Sequence, residues 1–316
     1  MILEIKNLTI EFKTRSSTVH AVNNVNLTLD DRDRLGIVGE SGSGKSTLAY
    51  SILRLLADNA RISGRILYNT HDLVSIPEPN LDQLRWQKIA MVFQNSMNAL
   101  NPVTRIGKQL IDALQLHKNI QYSEAREIAA DMIEKVGIPA KRLMDFPHEY
   151  SGGMKQRAVL ALALICHPEI LIADEPTTAL DVVAQRQVLQ LLMELQKELG
   201  LSVIFISHDI STVAEFSNKI AVMYAGEIVE YGTTFEVFNH SQHPYTEALV
   251  AAFPSLHRPI VALKEISGHP PNMANLPEGC PFEPRCSFSK ELCKFKKPDF
   301  VPCSNGSFCR CHLPRG

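Results

Sequence analysis

Alternation of apolar and polar positions dominates the start of the chain. Apolar side chains occupy nearly every second position there, with one slip in the first run; they are Leu3, Ile5, Leu8, Ile10 and Phe12, followed later by Val25, Leu27 and Leu29. A period of two is the spacing of a β-strand with one buried face. The two runs therefore predict an antiparallel β piece.

Further along the chain, this alternation gives way to short apolar segments and to helical spacing. The segments that predict strands are 35–38, 62–68, 89–93, 170–173 and 201–207. Apolar residues recur at helical spacing across 104–137 and again across 188–199. The region 104–137 predicts a helical subdomain, whose surplus of apolar residues serves either its own core or the docking of a partner. Periodicity does not separate these two uses.

Length and charge limit the classes of protein to which the chain can belong. With 316 residues, 45% of them hydrophobic, it is long enough for one large α/β domain and a smaller one. Its 32 basic and 34 acidic side chains nearly balance, which argues against bulk electrostatic affinity for nucleic acid. No apolar run approaches the ~20 residues that cross a bilayer, and the N-terminus lacks a signal-peptide pattern. We therefore expect a cytoplasmic chain.

The segment 39–47, GESGSGKST, has the residue types of a phosphate-binding loop between a strand and a helix. Its glycines allow backbone angles that let successive N–H groups converge on a polyphosphate, and the helix N-terminus adds a favourable dipole. Lys45 can reach the β- and γ-phosphates, and the Ser46 hydroxyl can ligate the Mg²⁺ between them. The predicted nucleotide contacts are Gly39, Ser41, Gly42, Gly44, Lys45, Ser46 and Thr47.

A second helix N-terminus with anion-binding character occurs in the sequence SGGMKQR at 151–157. Ser151, Gly152 and Gly153 come immediately before an apolar helix, where a serine cap and free N–H groups favour an anion. A chain with two such ends either binds two anions or shares them with another copy of itself.

Two carboxylates close the buried strand at 170–173. Asp174 can orient Mg²⁺ through water, and Glu175 can polarise the water that attacks a γ-phosphate. A pair of acids after a strand is often only a solvated turn, but the phosphate loop earlier in the chain favours the catalytic interpretation.

Two further polar residues follow predicted strands. Gln94 ends the strand at 89–93, where its amide oxygen can face Mg²⁺ and the attacking water; the alternative is an ordinary surface glutamine in a turn. His208 follows the strand at 201–207, at the carboxyl end where parallel sheets bind their ligands. A purely structural histidine is the alternative there.

In order and spacing, these motifs resemble the ATP-binding cassette of ABC proteins. The matching stretches are GESGSGKST, Gln94, SGGMKQR, ILIADEP, TALD and ISHD. The resemblance covers about residues 1–233 and implies an α/β fold, namely an ABC-type P-loop ATPase domain with a mixed sheet core, an antiparallel β piece and a helical subdomain. It also implies a head-to-tail dimer, in which ATP lies between the phosphate loop of one cassette and the SGG segment of the other.

The resemblance implies a role for each residue around the phosphates. Lys45 and Ser46 hold the phosphates and Mg²⁺, and Asp174 supports the metal. Glu175 is the general base. Gln94 contacts Mg²⁺, senses the γ-phosphate and couples the site to the membrane partner.

The remaining matched residues have roles in the dimer. His208 is the implied γ-phosphate switch, and Asp181 makes a contact that crosses between the cassettes. The segment 151–153 completes the neighbour's ATP site. The aromatic residue that stacks on adenine in this family has Phe12 as its candidate here.

The chain after residue 233 resembles the C-terminal extension of the dipeptide/oligopeptide and nickel importer ATPases. The resemblance is carried by HPYTEALVAAFPSL and GCPFEPRCSFSKELC, and it divides the chain into a cassette at 1–233 and an extension at 234–316. It implies a peripheral ATPase on the cytoplasmic face of the membrane. The implied partners are a second, paralogous ATPase, two membrane permease subunits and, indirectly, an extracytoplasmic solute-binding protein. The cassette does not touch the cargo, so peptide, oligosaccharide and nickel all stay open.

Six of the seven cysteines lie in this small Cys/Pro-rich extension, without any CxxC pair. Their spacing does not match ordinary zinc ribbons, and disulfides are disfavoured in a cytoplasmic chain. Members that resemble this tail can hold a [4Fe-4S] cluster, and the matching positions are Cys280, Cys286, Cys293 and Cys311. A Zn²⁺ site and free or redox-active thiols are the alternatives. Cys303 and Cys309 are a spare pair that leaves the fourth ligand open, and Cys166 is expected in the core.

A competing function is a soluble ABC ATPase with an iron–sulfur cluster that acts on nucleic acid or ribosomes. The tail lysines at 290, 294, 296 and 297 favour it, although the ordinary interpretation of such a group is a solvated face. The single cassette, the absence of long coiled-coil heptads and the HPYT sequence argue against it. We therefore expect no nucleic-acid partner.

Overall fold

The computed structural model describes residues 1–94, 96–178, 180–252 and 266–314. Its strands are β1 Leu3–Lys13, β2 Thr18–Leu29, β3 Arg34–Val38, β4 Ala60–Tyr68, β5 His71–Asp72, β6 Ile89–Val92, β7 Ile170–Asp174, β8 Ser202–Ser207, β9 Lys219–Tyr224, β10 Glu227–Thr233, β11 Val301–Pro302 and β12 Phe308–Cys309. Its helices are α1 Lys45–Ile52, α2 Glu78–Leu84, α3 Ile106–Lys118, α4 Tyr122–Lys135, α5 Gly152–Leu164, α6 Val182–Leu199, α7 Ile210–Phe216, α8 Thr234–Asn239, α9 Pro244–Ala251 and α10 Glu291–Phe295.

The chain divides into two compact units, of which the first contains the described residues of 1–75 and 205–316. One sheet of this unit has the strand order β2-β1-β4-β5. A second sheet has the order β11-β12-β10-β9-β3 within the unit. β3 runs parallel to β9, whereas β10 is antiparallel to both of its neighbours. The predicted antiparallel piece and the mixed α/β class are confirmed.

The slip in the first apolar run has a structural cause in β1. The register of β1 against β2 shifts between Ile5 and Leu8, and Asn7 has a left-handed backbone with φ 48°. An extra residue in one strand moves the alternation by one position. Leu8 and Ile10 are therefore fully buried although they are out of phase with Ile5.

The second unit spans residues 76–204. Its strands β6 and β7 are parallel, with Ile89 opposite Ile170, and Ser202 at the start of β8 donates to the Glu169 carbonyl at 3.0 Å. Helices α2 to α6 supply its helical part. The helical subdomain predicted at 104–137 is confirmed, and most of its apolar surplus is core: the buried residues include Ile106, Leu110, Leu114, Ala129, Met132 and Ile133. Cys166 is also fully buried, as expected.

The C-terminal tail adds strands to the larger sheet of the first unit. β12 pairs with β10, with Cys309 opposite Glu230, and β11 pairs with β12. Helix α9 begins with His243 as its cap, whose Nδ1 accepts from the Tyr245 N–H at 3.0 Å. The described part of the tail thus belongs to the same compact unit as the N-terminal strands. The domain boundary at 233/234 stays a prediction.

Candidate functional site

The phosphate loop joins the end of β3 to the start of α1. Gly42 and Gly44 have left-handed backbones, with φ 78° and 101°. A Cβ on Gly39 would lie 2.1 Å from the Met223 carbonyl oxygen, and one on Gly44 would lie 2.3 Å from that of Ala21. No real Cβ tolerates such distances, so the loop needs glycine at both positions. The backbone alone forms this part of the site.

Lys45 is the first residue of α1, and only 5% of it is exposed. Its ammonium donates to the carbonyl oxygens of Gly39 at 2.7 Å and Glu40 at 2.9 Å, and to the Ser43 hydroxyl at 3.4 Å. These bonds hold the positive charge against the loop. Because the first N–H groups of a helix lack intrahelical partners, the ammonium and the α1 N-terminus together favour a bound anion.

The other predicted contacts of this loop surround the α1 N-terminus. Ser41 and Gly42 are exposed, and Ser46 and Thr47 are half-buried in the first turn of α1. The residues present therefore fit an ATP phosphate chain: glycines where a side chain would clash, a lysine held in place, and a hydroxyl beside it for Mg²⁺.

In the second unit, the structure brings Gln94 and Glu175 together. Asp174 ends β7 with a fully buried side chain. Glu175 then takes a left-handed backbone, with φ 46°, a conformation that costs a residue with a side chain ~1–2 kcal/mol. The Gln94 side-chain N–H donates to Glu175 Oε2 at 2.9 Å. The left-handed backbone of Glu175 and its bond to Gln94 together fix where the carboxylate lies, as a general base requires.

The second predicted anion site also lies in this unit. Ser151 caps α5, and its hydroxyl accepts from the Met154 N–H at 3.3 Å. Gly152 and Gly153 follow in the first turn. Ser151, both glycines and Asp181 line one recess, and the Asp181 carboxylate caps α6 by accepting from the Ala184 N–H at 2.8 Å. The structure thus joins Asp181 to the SGG segment.

His208 lies in the first unit, directly after the carboxyl end of β8. Its ring is exposed, as contact with a ligand at that edge requires. The next residue, Asp209, caps α7 by accepting from the Ser211 N–H at 2.8 Å and the Thr212 hydroxyl at 2.6 Å. Phe12, the candidate for stacking on adenine, lies half-buried in β1 opposite Val19.

One cavity in the tail is lined by the four cysteines that the resemblance selects. They are Cys280, Cys286, Cys293 and Cys311, with Phe282, Phe288 and His243 among the other lining residues. Two backbone N–H groups bond to these cysteines: the Cys280 N–H donates to the Cys293 carbonyl at 2.8 Å, and the Leu313 N–H donates to the Cys311 Sγ at 3.3 Å. Cys303 and Cys309 lie at the neighbouring β11–β12 hairpin. In the described part of the chain, no three His, Cys, Asp or Glu side chains have the spacing of a metal-ion site.

Tyr245 and Arg285 reach the phosphate loop from the tail, and no sequence pattern predicted this. The Tyr245 hydroxyl accepts from the Glu40 N–H at 2.9 Å, and the Arg285 guanidinium contacts the Glu40 carboxylate. Burial raises the pKa of Tyr245, so it stays a neutral hydroxyl. The sequence marks these two residues only by their neighbours: Tyr245 belongs to the HPYT stretch, and Arg285 directly precedes Cys286.

Comparison with known proteins assigns the chain to a family. The model of the family "ABC transporter" matches residues 22–178, and that of the "Oligopeptide/dipeptide transporter, C-terminal region" matches residues 229–293. The oligopeptide transport ATP-binding protein OppD of Haemophilus influenzae is 44% identical over 314 residues, which is 99% of this chain and 97% of the relative. The chain belongs to the ATP-binding proteins of the ABC transporter family. As a member of this family it is an ATPase.

Other relatives agree with this membership. OppD of Escherichia coli is 45% identical over 305 residues, covering 95% of this chain and 90% of the relative. A solved dimeric structure of the ATP-binding cassette MJ0796, in a post-hydrolysis state with ADP and Pi, superposes with a TM-score of 0.65 at 28% identity. That match covers 73% of this chain and 98% of the other. The ABC cassette fold predicted from the sequence is confirmed.

Proposed function

We propose that this chain is the ATP-hydrolysing subunit that powers an importer of peptides or related solutes. The observation that carries the proposal is the near-complete coverage of the oligopeptide transport ATP-binding proteins, tail included. A cassette alone is shared by many ABC proteins, whereas the tail at 229–293 matches a model described for oligopeptide and dipeptide transporters. The nucleic-acid or ribosome alternative receives no support from these relatives.

The working unit is a head-to-tail dimer of cassettes, in which each ATP is bound by parts of two chains. Two separate anion-binding features support it: the phosphate loop with Lys45 and the helix N-terminus at Ser151. A solved relative is described as a dimeric cassette with ADP and Pi. In the dimer, the segment 151–153 and Asp181 complete the partner's site. An isolated monomer therefore binds ATP and hydrolyses it poorly.

By their proposed roles, Lys45 and the loop N–H groups would bind the phosphates, Ser46 and Gln94 would each supply a ligand to Mg²⁺, and Asp174 would support the metal. Mg²⁺ supplies charge neutralisation to the reacting phosphates. Glu175 accepts a proton from the attacking water, and the 2.9 Å bond from Gln94 orients the carboxylate for this transfer. His208 contacts the γ-phosphate. The family resemblance also implies that Gln94 would sense the γ-phosphate and couple the site to the membrane partner.

We propose further that the tail thiols bind a [4Fe-4S] cluster rather than a single metal ion, for which the described residues show no site. Four cysteines that share one cavity support this, because four thiolates are the usual ligand set of such a cluster. The ligands are Cys280, Cys286, Cys293 and Cys311, since Cys311 lines the cavity together with the other three. When bound, the group supplies a covalent link between distant parts of the tail. Anaerobic purification tests this: about four irons per chain is expected, and colourless protein with stoichiometric zinc would contradict it.

The partners are two membrane permease subunits, a second and paralogous ATPase and, indirectly, an extracytoplasmic solute-binding protein. The names of the relatives describe peptide transport or import, which supports a partnership with membrane subunits. The proposed place of this assembly is the cytoplasmic face of the membrane. Among the described residues, no helix combines the length and apolar content needed to span a bilayer.

Reconstitution tests the whole proposal. The chain is assembled in vesicles with its co-purifying membrane subunits, and phosphate release is measured with receptor loaded with peptide, oligosaccharide or nickel. We expect peptide-loaded receptor to stimulate hydrolysis and the Glu175→Gln assembly to stay inactive. Stimulation by nucleic acid or ribosomes, with no response to any loaded receptor, would contradict the transport function.

A further inference from the structure

The phosphate loop is held from the tail through Glu40, the loop residue after Gly39. Arg285 binds the Glu40 carboxylate with two bonds, Nη1 to Oε2 at 2.7 Å and Nη2 to Oε1 at 2.8 Å. The side chain of Arg285 is only 5% exposed, and that of Glu40 is 23% exposed. Two parallel charge-assisted bonds fix the orientation as well as the distance of such a pair.

All the hydrogen-bonding groups of Glu40 are occupied in this arrangement. Its carboxylate is bound by Arg285, its N–H donates to the Tyr245 hydroxyl at 2.9 Å, and its carbonyl accepts from the Lys45 ammonium at 2.9 Å. Lys45 is the residue that meets the phosphates. A single residue, Glu40, therefore links the tail arginine to the ammonium of Lys45.

Arg285 uses the full capacity of its guanidinium. A guanidinium has five N–H donors. Besides its two bonds to Glu40, it donates from Nε to the Ser267 carbonyl at 2.9 Å, from Nη2 to the Ile266 carbonyl at 3.2 Å and from Nη1 to the Tyr224 hydroxyl at 3.2 Å. The planar group also lies over the Tyr224 ring at 5.7 Å. Lysine has three donors on a flexible stem and cannot reproduce this set.

The turn that presents Arg285 is bracketed by two of the cavity cysteines. The Glu283 N–H donates to the Cys280 carbonyl at 3.0 Å, and the Cys286 N–H donates to the Glu283 carbonyl at 3.1 Å. Phe282, in the same turn, lines the cavity and contacts the ring of Tyr245. Whatever holds Cys280 and Cys286 therefore also fixes the turn and the position of Arg285.

We propose that Arg285 is a positioning residue of the ATP site, which holds the phosphate loop through Glu40 and thereby couples the cysteine-lined cavity to nucleotide binding. The proposal rests on the proposed ATP site, but it does not depend on which group the thiols bind. By linkage, occupancy of the cavity strengthens ATP binding, and ATP equally stabilises the occupied cavity.

Affinity measurements on the full chain test the first half of the proposal. We expect Arg285→Gln and Glu40→Gln each to weaken ATP binding ~10-fold, equal to ~1.4 kcal/mol. The double variant should be no weaker than either single one, because both break the same pair. The matched control is Arg310→Gln, another tail arginine beside a cavity cysteine, which donates to the carbonyls of Ile228 and Pro298. None of the described partners of its side chain belongs to the phosphate loop, so its ATP affinity should stay within ~2-fold of wild type.

Protection of the cavity tests the second half. We expect saturating ATP to slow the loss of iron to a chelator, followed by absorbance, by at least ~5-fold, the lower end of typical coupling. Arg285→Gln should abolish this protection, and Arg310→Gln should keep it. Glu40→Gln repeats the test from the loop side if Arg285→Gln does not fold. If the purified protein contains no iron, only the proposed cluster is contradicted. Maleimide labelling of Cys286 with and without ATP then measures how far ATP protects the cavity.

Wild-type ATP affinity in both single variants would overturn the proposal. So would fully additive losses in the double variant, or ATP protection that persists in Arg285→Gln.

Discussion

Replacement of Glu175 by glutamine removes the proton acceptor of the proposed hydrolytic site and changes little else. The side chains have the same length, so the contact with Gln94 at 2.9 Å is kept with a neutral acceptor. A hydrogen bond to a charged group contributes ~1.5–3 kcal/mol and a neutral one ~0.5–1.5 kcal/mol. Loss of orientation thus accounts for about 1 kcal/mol, a factor of ~5 in rate.

Loss of the base itself lowers the hydrolysis rate further than loss of orientation does. General base catalysis typically contributes ~10²–10⁴-fold, so hydrolysis by Glu175→Gln should fall by at least ~10²-fold. ATP binding should be unchanged, because the phosphate loop and Lys45 are untouched. The assays are phosphate release by the assembled transporter and ATP titration of the isolated chain.

Glu175→Asp is the control that keeps the charge and loses the position. Shortening the side chain by one carbon–carbon bond withdraws the carboxylate by ~1.5 Å and breaks its bond to Gln94. Misplacement on this scale costs up to ~10²-fold, so this variant should hydrolyse ATP faster than Glu175→Gln and slower than wild type. A Glu175→Gln protein within ~10-fold of wild type, or one faster than Glu175→Asp, would refute the assignment of the base.

Three other substitutions test separate parts of the structure. Gly44→Ala should abolish ATP binding, measured by titration, while circular dichroism stays native, because its Cβ would lie 2.3 Å from the Ala21 carbonyl oxygen. Ser151→Ala removes the cap on the Met154 N–H and should cost ~1 kcal/mol in denaturant unfolding; it should slow hydrolysis by the dimer without weakening ATP binding by the monomer. Phe282→Ala should destabilise the first unit by ~3–5 kcal/mol, because only 3% of Phe282 is exposed and its ring packs against Tyr224 and Tyr245. An unchanged thermal midpoint would contradict that packing.

Local patterns predicted those parts of the site that are local in the chain. The phosphate loop, the carboxylates after β7 and the serine cap of α5 each depend on a few consecutive residues, so residue type and spacing were sufficient. The helical subdomain and the antiparallel piece followed from periodicity. Even the slip in the first run carried information, because it marked the left-handed Asn7 in β1.

Contacts between distant residues were not predictable in this way. Gln94 and Glu175 are 81 positions apart, and their shared bond needs β6 and β7 to lie side by side. Glu40 and Arg285 are 245 positions apart, and the tail around Arg285 has neither helical nor strand periodicity. The sequence placed Gln94 and Glu175 at the same water but did not predict their direct bond. A single residue in an irregular segment, such as Arg285, carries no pattern from which a partner can be inferred, so its pairing with Glu40 emerged only with the fold.

The pairing of β12 with β10 also affects how the chain can be cut. Peptide groups of β10 bond to the tail, including a 2.8 Å bond from the Arg310 N–H to the Val229 carbonyl. A protein truncated after residue 233 would leave that side of β10 as an open strand edge, and open edges recruit other chains into aggregates. The extension therefore covers the free edge of β10 and protects the cassette from aggregation. The cassette should be produced with its tail attached.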